Sequence, residues 1–280
     1  MGQKIGKEKL FEYIKKFGFG SKTGVDLNGE ASGILFNLDK VGPVELATTS
    51  FGQGVSVTPI QQITAVSAAI NGGYLLTPYI VKSINEPETN SVIKQNEPKI
   101  VRKVISKSTS EKVRYALESV VTNGTGRNAF IDGYRVGGKT GTAQKVQDGK
   151  YMVGNYIVSF MGFLPANNPE VIAYVAIDNA KGITQYGGTI AAPIVRSILM
   201  DAIDILNIKK PSGASEKNYN YTDKKYVTVP SVIGKSLKDA MMELKNFKVE
   251  YSGTGNIVFY QTPAKNTRVY EGDIIKLMLK

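Results

Sequence analysis

Between Lys7 and Phe17 the apolar residues keep helical spacing. Leu10, Phe11, Ile14 and Phe17 fall on one side of a predicted helix that Gly18 ends. The stretch Thr23-Gly24-Val25-Asp26-Leu27-Asn28-Gly29-Glu30 is polar and turn-rich, and Phe51-Gly52-Gln53-Gly54 reads as a second glycine-flanked loop. A helix then starts with Thr58 at its N-cap and Pro59 in its first position. Ile60, Ile63, Val66 and Ile70 give it an apolar stripe, and Gly72-Gly73 stop it. Residues 79–84 and 91–94 read as the arms of a polar hairpin. The next helix is expected from Ser108, with a capping box to Glu111 and a core face of Val113, Leu117, Val120 and Val121. Strands are expected around Val158 and over 171–177, with a turn at 165–169 between them. A long apolar helix over about 191–208 closes this part. Helices on both sides of a mainly antiparallel sheet make the fold class α+β.

Residues 209–225 lose all periodicity and consist of Lys, Ser, Asn, Tyr and Gly with little else, the composition of a linker. Compact text resumes beyond it. A strand at 227–229 leads to a helix capped by Ser236, with Asp239 three residues on and Leu237, Ala240, Met241 and Leu244 as its apolar face. Strands follow at 248–251, 257–260 and 274–279. The expected organisation is therefore one domain over 1–208, a linker over 209–225, and a β-α-β-β-β module over 226–280.

Composition narrows the chemistry. The chain has 280 residues, 42% of them hydrophobic, and a net charge of +11 from 35 Lys and Arg against 24 Asp and Glu. That excess could mean nucleic acid, but most of the lysines are scattered rather than gathered on one face; an anionic envelope surface fits equally well, and no nucleic-acid partner is expected. It contains no cysteine and no histidine. Thiol catalysis, Cys/His metal sites and a Ser-His-Asp triad are thereby excluded. No apolar run reaches the roughly 18 residues of a membrane helix, and no signal peptide opens the chain. Residue 1 falls almost directly on a helix, so the chain is expected to be the later part of something longer.

The candidate chemistry sits in Val136-Gly137-Gly138-Lys139-Thr140-Gly141-Thr142-Ala143-Gln144. Strand-like text follows it, so the run reads as an edge strand that presents Lys139, Thr140 and Thr142 to a ligand. In isolation, a glycine-rich turn with a solvated lysine would read the same. Residues 133–140 also satisfy the G-x-x-x-x-G-K-T pattern of a phosphate-binding loop. That loop needs a buried strand before it and a helix after it. Residues 127–132 make a poor strand, and residues 141–155 carry three glycines and strand-type residues where the helix belongs, so no nucleotide is expected. The other reading is the Lys-Thr-Gly strand of serine acyl-enzymes.

Context favours the second reading. The chain resembles the second half of the transpeptidase domain of class B penicillin-binding proteins. The matching text is Gly20-Ser21-Lys22-Thr23-Gly24-Val25-Asp26-Leu27 with Gly29-Glu30, Ser50-Phe51-Gly52-Gln53-Gly54 with Thr58-Pro59, and Asn71-Gly72-Gly73. It continues in family order with Asn123-Gly124-Thr125-Gly126, Gly138-Lys139-Thr140-Gly141-Thr142-Ala143-Gln144 and Tyr186-Gly187-Gly188. The C-terminal module resembles a PASTA domain through Val229-Pro230-Ser231-Val232-Ile233-Gly234 and Gln261-Thr262-Pro263.

The resemblance implies a penicillin-binding, β-lactamase-like fold and acyl transfer. A D-Ala-D-Ala stem peptide acylates a serine, D-alanine leaves, and a neighbouring amine takes the acyl group. Lys139 would supply positive potential. The Thr142 backbone N–H would be half of the oxyanion hole. Thr140 and Thr142 would bind the substrate carboxylate, Gly141 would leave room for the acyl chain, and Gln144, Phe51 and Gln53 would line the cleft. No metal or cofactor enters this scheme. The implied partners are peptidoglycan stem peptides, β-lactams and a glycosyltransferase, on the outer face of a bacterial cytoplasmic membrane, with any membrane anchor upstream. The family's nucleophile lies in Ser-x-x-Lys on a helix, followed by Ser-x-Asn. Here these patterns occur only as Ser91-Val92-Ile93-Lys94 and Ser83-Ile84-Asn85, in the polar hairpin and in the wrong order. The acylated serine is therefore expected upstream of residue 1. A non-catalytic peptidoglycan-binding protein and a β-lactam-hydrolysing or sensing relative are the alternatives.

Overall fold

A computed structural model describes residues 2–147, 149–211 and 226–280. The chain divides into two compact units, Met1–Lys217 and Asn218–Lys280. Their boundary, and most of the segment read as a linker, lies outside the described residues.

Helices α1 (Gly2–Ile5) and α2 (Lys7–Lys16) come first, with Phe11 buried as its spacing predicts. The Arg102 guanidinium donates to the carbonyls of Lys15 and Lys16 at 3.3 and 3.4 Å, at the C-terminal end of α2. Two carboxylates organise the turn-rich stretch after α2. Glu30 accepts from the Thr23 N–H and hydroxyl, both at 2.6 Å, and from the Gly24 N–H at 3.1 Å. Asp26 accepts from the N–H groups of Ile80 and Val81 at 2.7 and 2.9 Å and so fixes the start of the hairpin far along the chain.

Helix α3 (Pro43–Thr49) precedes α4 (Pro59–Ile70), whose Thr58–Gln61 capping box is complete. The buried face of α4 is only partly the one expected, since Ile70 is buried and Val66 packs on the core while other positions differ. Gln61, Thr64, Ala65, Ala68 and Ile70 are buried, while Ile60, Ile63 and Val66 are half-buried. The Gln61 amide explains the rotation, because it donates to the carbonyls of Ser21 and Ser32 at 2.7 and 2.8 Å. A polar side chain satisfied in this way can occupy the core, and the small residues beside it allow close packing.

Strands β1 (Tyr74–Thr77), β2 (Ser83–Asn85), β3 (Val92–Gln95) and β4 (Lys99–Lys103) follow. The expected hairpin is β2–β3, and β1 pairs with β4 in a second ribbon that was not expected. Helix α5 (Lys107–Thr122) begins one residue before Ser108. Ser106 is its N-cap, accepting from the Thr109 N–H at 3.1 Å, and Glu111 is exposed, so no capping box forms there.

Strands β5 (Gly137–Gln147), β6 (Lys150–Leu164) and β7 (Val171–Asp178) form an antiparallel sheet in that order, leaving β5 at an edge. Helix α6 (Gly187–Leu206) starts four residues before the expected Ala191. Alternation along β6 divides the core. Phe160 and Leu164 pack with Val195 and Leu199 of α6 on one side of the sheet. On the other side Phe163 packs with Ile70 and Val66 of α4 and Leu117 of α5.

The second unit holds β8 (Tyr226–Thr228), α7 (Leu237–Glu243), β9 (Lys248–Ser252), β10 (Val258–Thr262), β11 (Arg268–Tyr270) and β12 (Ile274–Leu279). Strand β11, absent from the sequence reading, pairs with β8, while β12 lies between β10 and β9. Helix α7 buries Ala240 and Leu244 as expected, but Met241 is exposed because this short helix has only one covered side.

Candidate active site

Glycines determine how closely β5 can approach its neighbours. A Cβ on Gly137 would run into the Phe163 ring, and one on Gly138 would lie 2.5 Å from Phe160 Cζ and 2.7 Å from the Met161 carbonyl. A Cβ on Gly141 would meet the Ser159 hydroxyl. The start of α6 is equally tight. Gly187 abuts the carbonyls of Ser159 and Gly141, and Gly188 abuts the Thr125 carbonyl. These five positions need glycine for proximity, whatever their backbone angles.

Because β5 is an edge strand, one side of its backbone has no sheet partner among the described residues. Lys139 is exposed, and its Nζ folds back to donate to the Thr140 carbonyl at 2.8 Å and to Thr140 Oγ1 at 3.4 Å. The Thr140 carbonyl therefore faces the free edge. In an antiparallel ladder the N–H of Thr142, two residues on, points the same way. The side chains alternate. Lys139 and Gly141 face a cavity of about 200 Å³ that Gln62, Val66, Leu117, Ser159 and Met161 help to line. Thr140 faces the start of α6, where its Oγ1 lies 3.2 Å from Thr125 Oγ1.

The predicted site residues are only partly brought together. Lys139, Thr140 and Gly141 meet at the cavity. Thr142 is exposed, with no partner for its hydroxyl among the described residues. Gln144 is half-buried, and its amide donates to the Met152 carbonyl at 3.1 Å across the β5–β6 hairpin. Phe51 is 70% exposed and Gln53 donates its N–H to the Thr48 carbonyl at 3.0 Å, in a turn after α3 that does not line the cavity at Lys139. Thr125 is a neighbour that the sequence reading quoted without a role. Its only signal there was the flanking pair of glycines.

The remaining motifs separate cleanly. Lys139 and Thr140 lie within a strand, with no helix after them to hold a phosphate. Asp178, at the end of β7, accepts from Lys145 Nζ at 2.7 and 2.8 Å. Ser83, Ser91 and Lys94 are exposed on the β2–β3 hairpin, away from any helix. Among the described residues no three acidic side chains gather to hold a metal ion, and no helix is long and apolar enough to cross a membrane.

An edge strand that presents Lys-Thr-Gly beside a cavity, with helices on both faces of its sheet, defines a known class. The chain belongs to the penicillin binding protein transpeptidase domain family, whose model matches residues 1–200, and the PASTA domain model matches residues 227–280. Across its whole length it is 57% identical to Stage V sporulation protein D of Bacillus subtilis, of which it covers 43%. It is 35% identical over 222 residues to a peptidoglycan D,D-transpeptidase FtsI homolog of Mesostigma viride, covering 74% of this chain and 37% of that one. Among solved structures, penicillin binding protein 3 of Mycobacterium tuberculosis in complex with ampicillin matches with a TM-score of 0.68 and 30% identity, over 77% of this chain and 49% of that one. The chain thus spans less than half the length of these relatives.

Proposed function

We propose that this chain forms the Lys-Thr-Gly wall of a peptidoglycan D,D-transpeptidase that works through a serine acyl-enzyme. The observation that carries the reading is the edge of β5, unpaired among the described residues, where Lys139 Nζ donates to the Thr140 carbonyl and hydroxyl beside the cavity. In this reading the acylated serine comes from a segment the longer relatives possess. Lys139 adds positive potential at the reacting centre, and the Thr142 N–H donates to the oxyanion. Thr140 and Thr142 bind the substrate carboxylate, and Gly141 leaves space for the acyl chain. Gln144, Phe51 and Gln53 have weaker support, since Gln144 is occupied with Met152 and the Phe51 loop stands apart from the cavity.

The substrates would be peptidoglycan stem peptides, with β-lactams as mimics that acylate the same serine. The setting would be the outer face of the cytoplasmic membrane, beside a glycosyltransferase, and residues 209–225 would tether the PASTA module. The 57% identity to a stage V sporulation protein favours spore formation over vegetative division. Labelling with a fluorescent penicillin tests the reading. Residues 1–280 alone should not be labelled, and a chain extended upstream to the relatives' length should be. In the extended chain Lys139→Ala should lower acylation by several orders of magnitude. Covalent labelling of residues 1–280, or an extended chain indifferent to Lys139→Ala, would overturn it.

A further inference from the structure

The backbone on either side of Thr125 is fixed, while its side chain is exposed. Arg127 Nε donates to the Gly124 carbonyl at 3.2 Å, the Gly126 N–H donates to the Val120 carbonyl at 2.9 Å, and Gly188 lies so close that a Cβ there would meet the Thr125 carbonyl. Gly188 is itself anchored, because its carbonyl accepts from Asn128 Nδ2 at 2.8 Å. This scaffold holds the Thr125 hydroxyl 3.2 Å from Thr140 Oγ1. A hydrogen bond between two hydroxyls near the surface adds little to folding stability. The backbone anchoring is greater than such a bond needs for stability alone.

The hydrogen-bond inventory of Thr140 gives the pair a purpose. A threonine hydroxyl has one proton to donate and two lone pairs. An ammonium can only donate, so Lys139 Nζ takes one lone pair of Thr140 Oγ1. One lone pair and the proton remain. If Thr125 accepted that proton, Thr140 would turn only a lone pair toward an incoming carboxylate, which would repel it. If Thr125 donates, both lone pairs are engaged and the proton points outward. A carboxylate ligand therefore selects one polarity: Thr125 donates to Thr140, and Thr140 donates to the ligand.

We infer that Thr125 is a positioning residue for recognition of the substrate carboxylate, acting through the Thr140 hydroxyl. The inference rests on the proposed role of Thr140 and adds the residue that orients its proton. Lys139 and Thr125 approach Thr140 from the cavity side and the α6 side of β5, so together they fix the hydroxyl in one rotamer.

The experiment uses the upstream-extended protein and compares acylation by a penicillin with acylation by its methyl ester, which lacks the carboxylate charge. Thr125→Val should lower the second-order rate with the penicillin roughly three- to tenfold, the scale of one hydrogen bond, and leave the ester rate unchanged. Thr125→Ser keeps the donor and should restore the penicillin rate. Thermal stability should not move. The double variant Thr125→Val/Thr140→Val should lose no more than Thr140→Val alone, because the two hydroxyls act as a relay. Equal losses on both ligands, failure of Thr125→Ser to restore the rate, or additive losses in the double variant would overturn the inference. If Thr125→Val does not fold, Thr125→Ala and Thr125→Ser carry the same comparison. If Thr140→Val is carboxylate-selective and Thr125→Val is not, only this inference fails. If Thr140→Val is itself unselective, the role proposed for Thr140 fails first.

Discussion

Glu118→Gln tests what holds the start of β5 in place. Glu118 lies on α5, and its carboxylate accepts from Arg135 Nε at 2.8 Å and Nη2 at 2.6 Å in a two-point fork. Arg135 stands just before buried Val136 and the first glycine of the strand, and its carbonyl accepts from the Ala166 N–H at 2.7 Å. The Glu118 side chain is 10% exposed and that of Arg135 29%. The hydrogen bond to Glu118, opposed in part by burial, holds the Arg135 pKa above its usual value, as a pair formed in the folded state should. Breaking a fully buried pair costs about 3–5 kcal/mol, and an exposed pair contributes about 0–1 kcal/mol. Water reaches Arg135 but scarcely reaches Glu118, so the expected loss lies between, at about 2–3 kcal/mol. For a unit of this size that lowers Tm by about 4–12 °C. Thermal unfolding followed by circular dichroism would measure it, taking the transition of the larger unit. Replacing both partners by methionine removes the charge together with its desolvation penalty, so the double variant should recover most of the loss. A Glu118→Gln cost below about 0.5 kcal/mol, or a double variant as damaging as the sum of the singles, would refute the argument.

Two further predictions concern the same scaffold. Gly187→Ala should destabilise the larger unit by about 1–3 kcal/mol and reduce acylation in the extended protein, because the new Cβ meets two backbone carbonyls of the β5–β6 ladder. Unchanged Tm and acylation would show that α6 can shift freely. Asp26 and Glu30 predict a pH effect. The N–H groups of Ile80 and Val81 hold the Asp26 pKa below its usual value. Burial raises that of Glu30, but the hydrogen bonds from Thr23 and Gly24 outweigh it. Both pKa values are lowered in the folded state. Their contribution is therefore present above the ordinary carboxylate range, near pH 4, and is lost as pH falls through the lowered values. Protection factors of the Ile80 and Val81 amides should drop over that acid window, and Asp26→Asn should remove the dependence.

Much of this architecture was legible where one physical signal dominated. Thr58-Pro59 and the spacing around Phe11 marked helices that the structure contains, and the glycine and β-branched text around Lys139 read as an edge strand. The misses have local causes. The face of α4 was assigned to its isoleucines, yet Gln61 takes a core position because backbone carbonyls from two distant segments satisfy its amide. Those partners lie 40 and 29 residues away, so no local pattern signals them. The start of α5 was placed at the better-known capping box, while Ser106 reached the free N–H first. Strands β1 and β11 are only four and three residues long and β4 is exposed along its whole length, so hydropathy alternation is weak in all three. In the site, Lys139, Thr140 and Gly141 came directly from the motif. Thr125 did not, because its relevance depends on a loop and a helix start meeting at β5.

The register of β5 explains why the motif needs its glycines as much as its lysine. Side chains alternate along a strand, so a slip of one residue would turn Lys139 toward α6 and Thr140 toward the cavity. The far half of the hairpin offers weak protection, since Val146 and Tyr151 are exposed and the ladder shifts between Gln144 and Val146. Protection comes from the near half. Gly137 lies against the Phe163 ring and Gly138 against the Phe160 ring, and both rings are fully buried. After a one-residue slip toward the hairpin end, Val136 would take the place of Gly137 beside Phe163. After the opposite slip, Lys139 would take the place of Gly138 beside Phe160. Each slip puts a side chain where the present packing admits none. The chemistry-bearing edge is thus set by two residues that have no functional group, held by aromatic rings on opposite faces of the sheet.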